Sequence, residues 1–246
     1  MLRTMALPSP GFLSSEISFG INGYLKYKLF GQDLYITNTH ISLLIVMLVI
    51  LIFAIIVNIK VRKADPTKPP GPFMNVVELL VDTLDNVTIN GMGIEHGYKY
   101  VNYISSLFVF LVVANFSGLF GLRPPTADFG VTFGLAIISF VIIQFAGFKY
   151  QKFGHITALF KPIFLTPINI IGEFATPLSM ALRLFGNILS GTVLTGLVYS
   201  LLPEFLTALG WPAFLHAYLD VFSGAIQAYV FVMLTMVFTS MNFETE

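Results

Sequence analysis

Apolar residues run through this chain in long blocks separated by short polar and basic stretches, and the blocks differ in kind. Ile41–Ile59 is almost unbroken, interrupted only by Ser42 and Asn58. A helix rising about 1.5 Å per residue crosses a ~30 Å hydrocarbon core in about 20 residues, so this block predicts one upright transmembrane helix. The next block, Phe73–Val87, is amphipathic. Val76, Val77, Leu80, Val81 and Leu84 share one face, while Asn75, Glu78, Asp82 and Asp85 fall largely on the other, the pattern of a helix lying along the membrane surface. Two spans follow, at about 100–122 and 131–148, and they predict a pair of transmembrane helices. The last two blocks are longer than an upright span needs. A helix over about 163–202 must tilt, bend or begin at the interface, and Pro167 and Pro177 delimit or kink it. A helix over about 213–241 returns beside it. The expected fold is an all-α polytopic membrane protein: an upright helix, an interfacial helix, a spanning pair and a long tilted hairpin.

The loops orient these helices. Lys60–Pro72 carries Lys60, Arg62, Lys63 and Lys68, and Lys149–Lys161 is basic again, whereas Arg123–Gly130 holds a single arginine. Basic loops stay in the cytoplasm. Residues 1–40 are then an N-terminal segment on the outer side, residues 41–246 form the membrane domain, and the C-terminus is cytoplasmic.

Composition agrees with the pattern. Of 246 residues, 56% are hydrophobic and 11% charged, against about 25% charged in soluble domains. The formal net charge is zero, which leaves no basic surface for nucleic acid. Cysteine is absent, so thiol chemistry and disulfides are excluded. The four histidines, His40, His96, His155 and His216, show no metal-ligand spacing. Gly-x-Ser-x-Gly, His-Glu-x-x-His and Walker-type phosphate loops are all missing, so no catalytic nucleotide site and no cofactor is expected in this chain.

What remains is polar chemistry at membrane depth. Arg183 interrupts a long apolar run, where an arginine costs roughly 2.5–3.5 kcal/mol on insertion scales. Such charges face a bundle interior or a hydrated cavity and mark ion paths, relays or counter-ion sites. Asn187 lies one turn on, Ser179 one turn back, and Gly186 and Gly191 permit close helix approach. On the last helix His216, Asp220, Ser223 and Gln227 recur at helical spacing as one polar stripe. Facing that stripe to Arg183, or to a hydrated cavity, satisfies both. The bland alternatives are ordinary helix-packing contacts for Ser190 and Ser223, and a structural pair between Arg183 and Asp220. Two function classes fit: an ion-handling subunit of a larger machine, and a self-contained secondary ion transporter. Transporters typically carry inverted repeats and broken helices at matching positions, and neither is seen.

The undecapeptide PLSMALRLFGN at 177–187 resembles the signature of subunit a of the F-type ATP synthase membrane sector, in its bacterial form. IQAYVFVMLTMVF around Gln227, PPTADFGVT at 124–132 and the Asn75–Glu78 region extend the resemblance over nearly the whole chain after residue 40. The resemblance implies a stator subunit in the bacterial cell (inner) membrane, working with a ring of c subunits, the b subunits of the peripheral stalk and the rest of the ATP synthase. It implies two offset half-channels and an essential arginine, here Arg183, facing the ring's carboxylate. Asn187 and Gln227 match polar positions at that interface, and Asp220 matches an ionisable position of the outer half-channel. Asp128, Asn115 and His216 are further outer candidates; Ser179 and Glu173 are cytoplasmic ones. There is one departure: nine residues after the arginine many members carry a glutamate, and this chain has Thr192, a hydroxyl that can pass a proton or coordinate a cation without titrating. The coupling ion is expected to be the proton rather than Na⁺.

Overall fold

The computed structural model describes residues 23–29, 32–65, 69–152, 154–155, 157, 160, 162–201, 214 and 217–243. The membrane part is helical as the apolar blocks require. Before it stands a two-stranded antiparallel hairpin, β1 (Gly23–Leu29) and β2 (Gln32–Thr37), closing on Leu29 opposite Gln32. The sequence reading found only mixed character here. The signal is the period-two alternation of Leu25, Tyr27 and Leu29 with Lys26 and Lys28, followed by a two-residue connection.

Helix α1 (Asn38–Lys63) is longer at both ends than its apolar run, and Lys60, Arg62 and Lys63 form its last turn. Only Thr39, Ser42 and Val46 are buried along it, so it touches the bundle through its first half and leaves the rest to lipid. Helix α2 (Pro72–Met92) starts with proline at its first position, where the missing N–H is no loss. It is the one long helix among those described that is not apolar enough to span. Lys60 Nζ sits 3.9 Å above the Phe73 ring and ties the basic loop to α2. Gly93, at φ +78°, breaks the chain between α2 and α3 (Ile94–Phe116), which therefore begins ahead of its expected start at 100. The two helices then pack so closely that a Cβ on Gly97 would stand 2.9 Å from Ile89 Cα.

Short 3₁₀ turns at Ser117–Phe120 and Pro125–Ala127 lead into α4 (Phe129–Tyr150), whose N-cap is Asp128 accepting the Gly130 N–H at 2.9 Å. A 3₁₀ turn at Ile163–Leu165 opens α5 (Thr166–Leu201), 36 residues long with Pro177 inside it. At about 1.5 Å per residue it measures roughly 54 Å, far more than the hydrocarbon core, so it tilts strongly. The last block is not one regular helix. Ala217–Ser223 is π-helical and passes into α6 (Gly224–Ser240). Among the described residues, five helices are long and apolar enough to cross a membrane: α1, α3, α4, α5 and the π segment with α6.

The core lies where α3, α4, α5 and α6 meet. Ile104, Leu107 and Leu111 pack with Ala136, with Met180, Ala181 and Leu184, and with Phe231, Val232 and Met236. At one end of the bundle Phe243 stacks on His96 (ring centroids 4.1 Å) and meets Tyr150 edge-on, joining the start of α3, the end of α4 and the end of α6. The basic loops lie on this face, as alternating spans demand.

Candidate functional site

The core contacts decide which way Arg183 points. Met180, Ala181, Leu184 and Ile188 turn one face of α5 into the bundle. Arg183 falls on the opposite face, at the midpoint of the 36-residue helix, exposed and flanked by the exposed Leu178 and Leu182. Among the described residues it makes no hydrogen bond and no ion pair. The structural pairing of Arg183 with Asp220 is therefore not formed. Ser179, Gly172 and Ala175 are exposed on the same side, so a stripe of small residues leads from the start of α5 to the arginine.

Two depressions flank Arg183 along α5. One, of about 200 Å³, is lined by Gly172, Thr176, Ser179, Met180 and Arg183 with Leu234 and Phe238 of α6. The other, of about 510 Å³, lies past the arginine and is lined by Gly186, Asn187, Ser190, Gly191 and Leu194 with Leu219 of the π segment. The first lies along the half of α5 nearer the basic loops and the second along the other half, and they share no lining residue.

Asn187 is anchored across the helix pair: Ser223 Oγ donates to its Oδ1 at 2.9 Å. Ser190 Oγ turns back to the Asn187 carbonyl at 3.0 Å, a bond within its own helix. Asp220 is half-buried on the π segment, and Gln227 is half-buried on α6. The π turn corrects the single polar stripe drawn from the sequence. An α-helical spacing places Asp220, Ser223 and Gln227 on one line, but a π turn holds more residues per turn and moves Asp220 off the Ser223–Gln227 line. His216 lies outside the described residues.

Asn115 is 2% exposed and fully committed inside the protein. Its Nδ2 donates to the Gly224 carbonyl at 2.8 Å, and its Oδ1 accepts from Thr126 Oγ1 at 2.8 Å. It pins the junction between the π segment and α6, so its bearing on the site is positional. Asp128, half-buried, is occupied with capping α4. Thr192 spends its hydroxyl hydrogen on the Leu189 carbonyl at 2.8 Å, which leaves the oxygen lone pairs facing outward.

Glu173, ten positions before Arg183, does not share its face. It points to α4, where Gln144 Nε2 donates to its carboxylate, and His155 Nε2 lies 2.8 Å from Gln144 Oε1. From the sequence alone neither Gln144 nor His155 has an assigned role. A polar side chain inside a span needs a partner, and that was the available signal.

A family model described as "ATP synthase A chain" matches residues 40–240. The ATP synthase subunit a of Mycoplasmoides gallisepticum is 32% identical over 83% of this chain and 78% of its own length. That of Staphylococcus saprophyticus is 34% identical over 88% of this chain and 94% of its own. A protein of Propionigenium modestum named "ATP synthase subunit a, sodium ion specific" is 40% identical over 57% of this chain and 53% of its own.

Proposed function

Since the chain belongs to the ATP synthase A chain family, a multi-pass membrane component of the ion-translocating sector, we propose that it is the stator whose Arg183 couples ion flow to rotation of a c-subunit ring. The observation that carries the reading is the placement of Arg183. It is exposed at the centre of an overlong helix, without a partner among the described residues, with a separate depression on each half of that helix. An unpaired guanidinium at this depth calls for an anion from outside the chain. A carboxylate on a moving ring supplies it, and the small-residue stripe of α5 lets a ring helix come close.

The steps follow from electrostatics. A ring carboxylate that has lost its ion is costly in an apolar interface unless a cation faces it, and Arg183 provides that cation. An occupied carboxylate approaching the arginine gives up its ion, because a neighbouring positive charge favours the ionised acid. The same fixed charge repels a cation that would cross directly from one depression to the other. Guanidinium suits this place better than the ammonium of lysine, which loses its charge readily when buried. Each charge crossing the field contributes about 2.3 kcal/mol per 100 mV. Asn187, held by Ser223, and Gln227 shape the contact with the ring. Asp220 and Thr192 serve the outer half-channel, with Asn115 and Asp128 fixing its walls. Ser179 and Glu173 serve the cytoplasmic one. The basic loops put the N-terminus outside and the C-terminus in the cytoplasm of a bacterial cell, and b subunits of the peripheral stalk hold the stator still. The proton is the favoured ion.

Arg183→Ala in the assembled complex tests the reading. ATP-driven ion transport in membrane vesicles is expected to vanish, while the subunit stays in the complex as judged by its recovery with the purified enzyme. Coupled pumping by Arg183→Ala would overturn the proposal.

A further inference from the structure

Three polar residues from three segments form one chain on the side of the basic loops. Glu173 comes from α5, Gln144 from α4 and His155 from the connection between them. Gln144 gives one amide N–H to the Glu173 carboxylate and turns its carbonyl oxygen to His155. The histidine must then present Nε2–H, so the order of donors is fixed from His155 through Gln144 to Glu173. The seat of the histidine is shaped for it. His155 is 9% exposed, its ring lies over Gly147, and a Cβ there would come within 2.7–2.9 Å of three ring atoms. Phe148 meets the same ring edge-on at 5.4 Å.

The chain ends beside the first depression. Gly172, the neighbour of Glu173, lines it, and Thr176 and Ser179 carry it to Arg183. An amide passes protons poorly because it would have to tautomerise, so Gln144 acts by geometry. It holds one carboxylate oxygen toward α4, and the other accepts no hydrogen bond among the described residues.

We infer that His155 and Gln144 are positioning residues that fix the Glu173 carboxylate as the cation-capture point on the basic-loop side, feeding the depression that leads to Arg183. This rests on the coupling role of Arg183 and adds a sided prediction to it. The loss of a charge-assisted hydrogen bond that orients Glu173 weakens ion capture from one side only, by about tenfold.

The test uses the assembled enzyme in inverted vesicles, where the basic-loop side faces the medium. ATP-driven uptake is measured against medium ion concentration, first protons without Na⁺, then Na⁺ at fixed alkaline pH. Gln144→Leu and Gly147→Ala are expected to raise the half-saturating concentration about tenfold, with the maximal rate within about twofold. His155→Gln, which can still donate to Gln144, is expected to stay near the parent. Half-saturation for ion supplied from the vesicle lumen, read as ATP synthesis, is expected not to move. A fall in maximal rate with unchanged half-saturation, or equal shifts on both sides, would overturn the inference. Should Gln144→Leu fail to assemble, Gly147→Ala decides alone, since it displaces the ring without removing any polar group. Arg183→Ala run in parallel separates the two claims: if it pumps, the coupling role fails; if it is silent while Gly147→Ala and Gln144→Leu are unshifted, only this inference fails.

Discussion

Asn115→Leu should loosen the junction that carries half of the site. In the native protein the Asn115 amide makes two bonds, to the Gly224 carbonyl and from the Thr126 hydroxyl, both 2.8 Å long and both buried. Side-chain hydrogen bonds within membrane proteins average about 0.6 kcal/mol and reach about 1.7 kcal/mol. Two of them, with a carbonyl and a hydroxyl left behind, put the loss at about 1–3 kcal/mol. Space adds to this, because Asn115 Cβ would sit 3.2 Å from a Cβ at Gly224 and a branched side chain has little room there. The assay is denaturation of the detergent-solubilised complex by increasing SDS, followed by release of this subunit, for Asn115→Leu, Thr126→Val and the double variant. The midpoint should fall for both single variants, and the double should fall by less than their sum, with a coupling of about 0.5–1.5 kcal/mol. Coupled transport should drop as well, because Ser223, which holds Asn187, directly precedes Gly224. An unchanged midpoint for Asn115→Leu, or strict additivity with Thr126→Val, would refute the reasoning.

Two further outcomes are expected. Gly97→Ala should lower the same SDS midpoint by about 1–3 kcal/mol, since the new methyl meets the Ile89 backbone at 2.9 Å and backbone cannot swing aside. For the coupling ion, carbodiimide modification of the ring carboxylate should proceed at the same rate with and without Na⁺ at alkaline pH; protection by Na⁺ would assign sodium instead.

The helices were legible because lipid enforces simple rules. A 19-residue apolar run between His40 and Lys60 has few alternatives, and α1 formed there. Its true ends, Asn38 and Lys63, lay beyond the run because backbone hydrogen bonding continues into the interface after hydrophobicity stops. Arg183 stood out for the same reason, as a charge where none is cheap. The features that escaped depend on contacts between distant segments. The Glu173–Gln144–His155 chain joins three different segments, at separations of 29 and 11 residues, and periodicity within one helix says nothing about contacts between segments. The Asn115–Gly224 bond spans 109 residues, and composition gives no hint of it. The π turn escaped because the local sequence AYLDVFS reads as ordinary helix, while the bonds that hold its C-terminal end, Ser223 to α5 and Gly224 to α3, are contacts between distant segments.

That π turn has an evolutionary reading. Ser223 and Gly224 are tied to other helices, so the chain beyond them cannot rotate, while the residues before them can be renumbered by one insertion or deletion. Deleting one residue within Ala217–Ser223 would return the segment to α-helical geometry and leave what precedes it turned only slightly, because a π turn spends about one more residue on the same sweep. An ionisable side chain could then be handed to the adjacent position while the anchored half of the helix stays in register. Relatives that keep the same anchors can therefore place the acidic group at different sequence distances from the arginine, and residue spacing alone is an unsafe guide to which of them faces the ion.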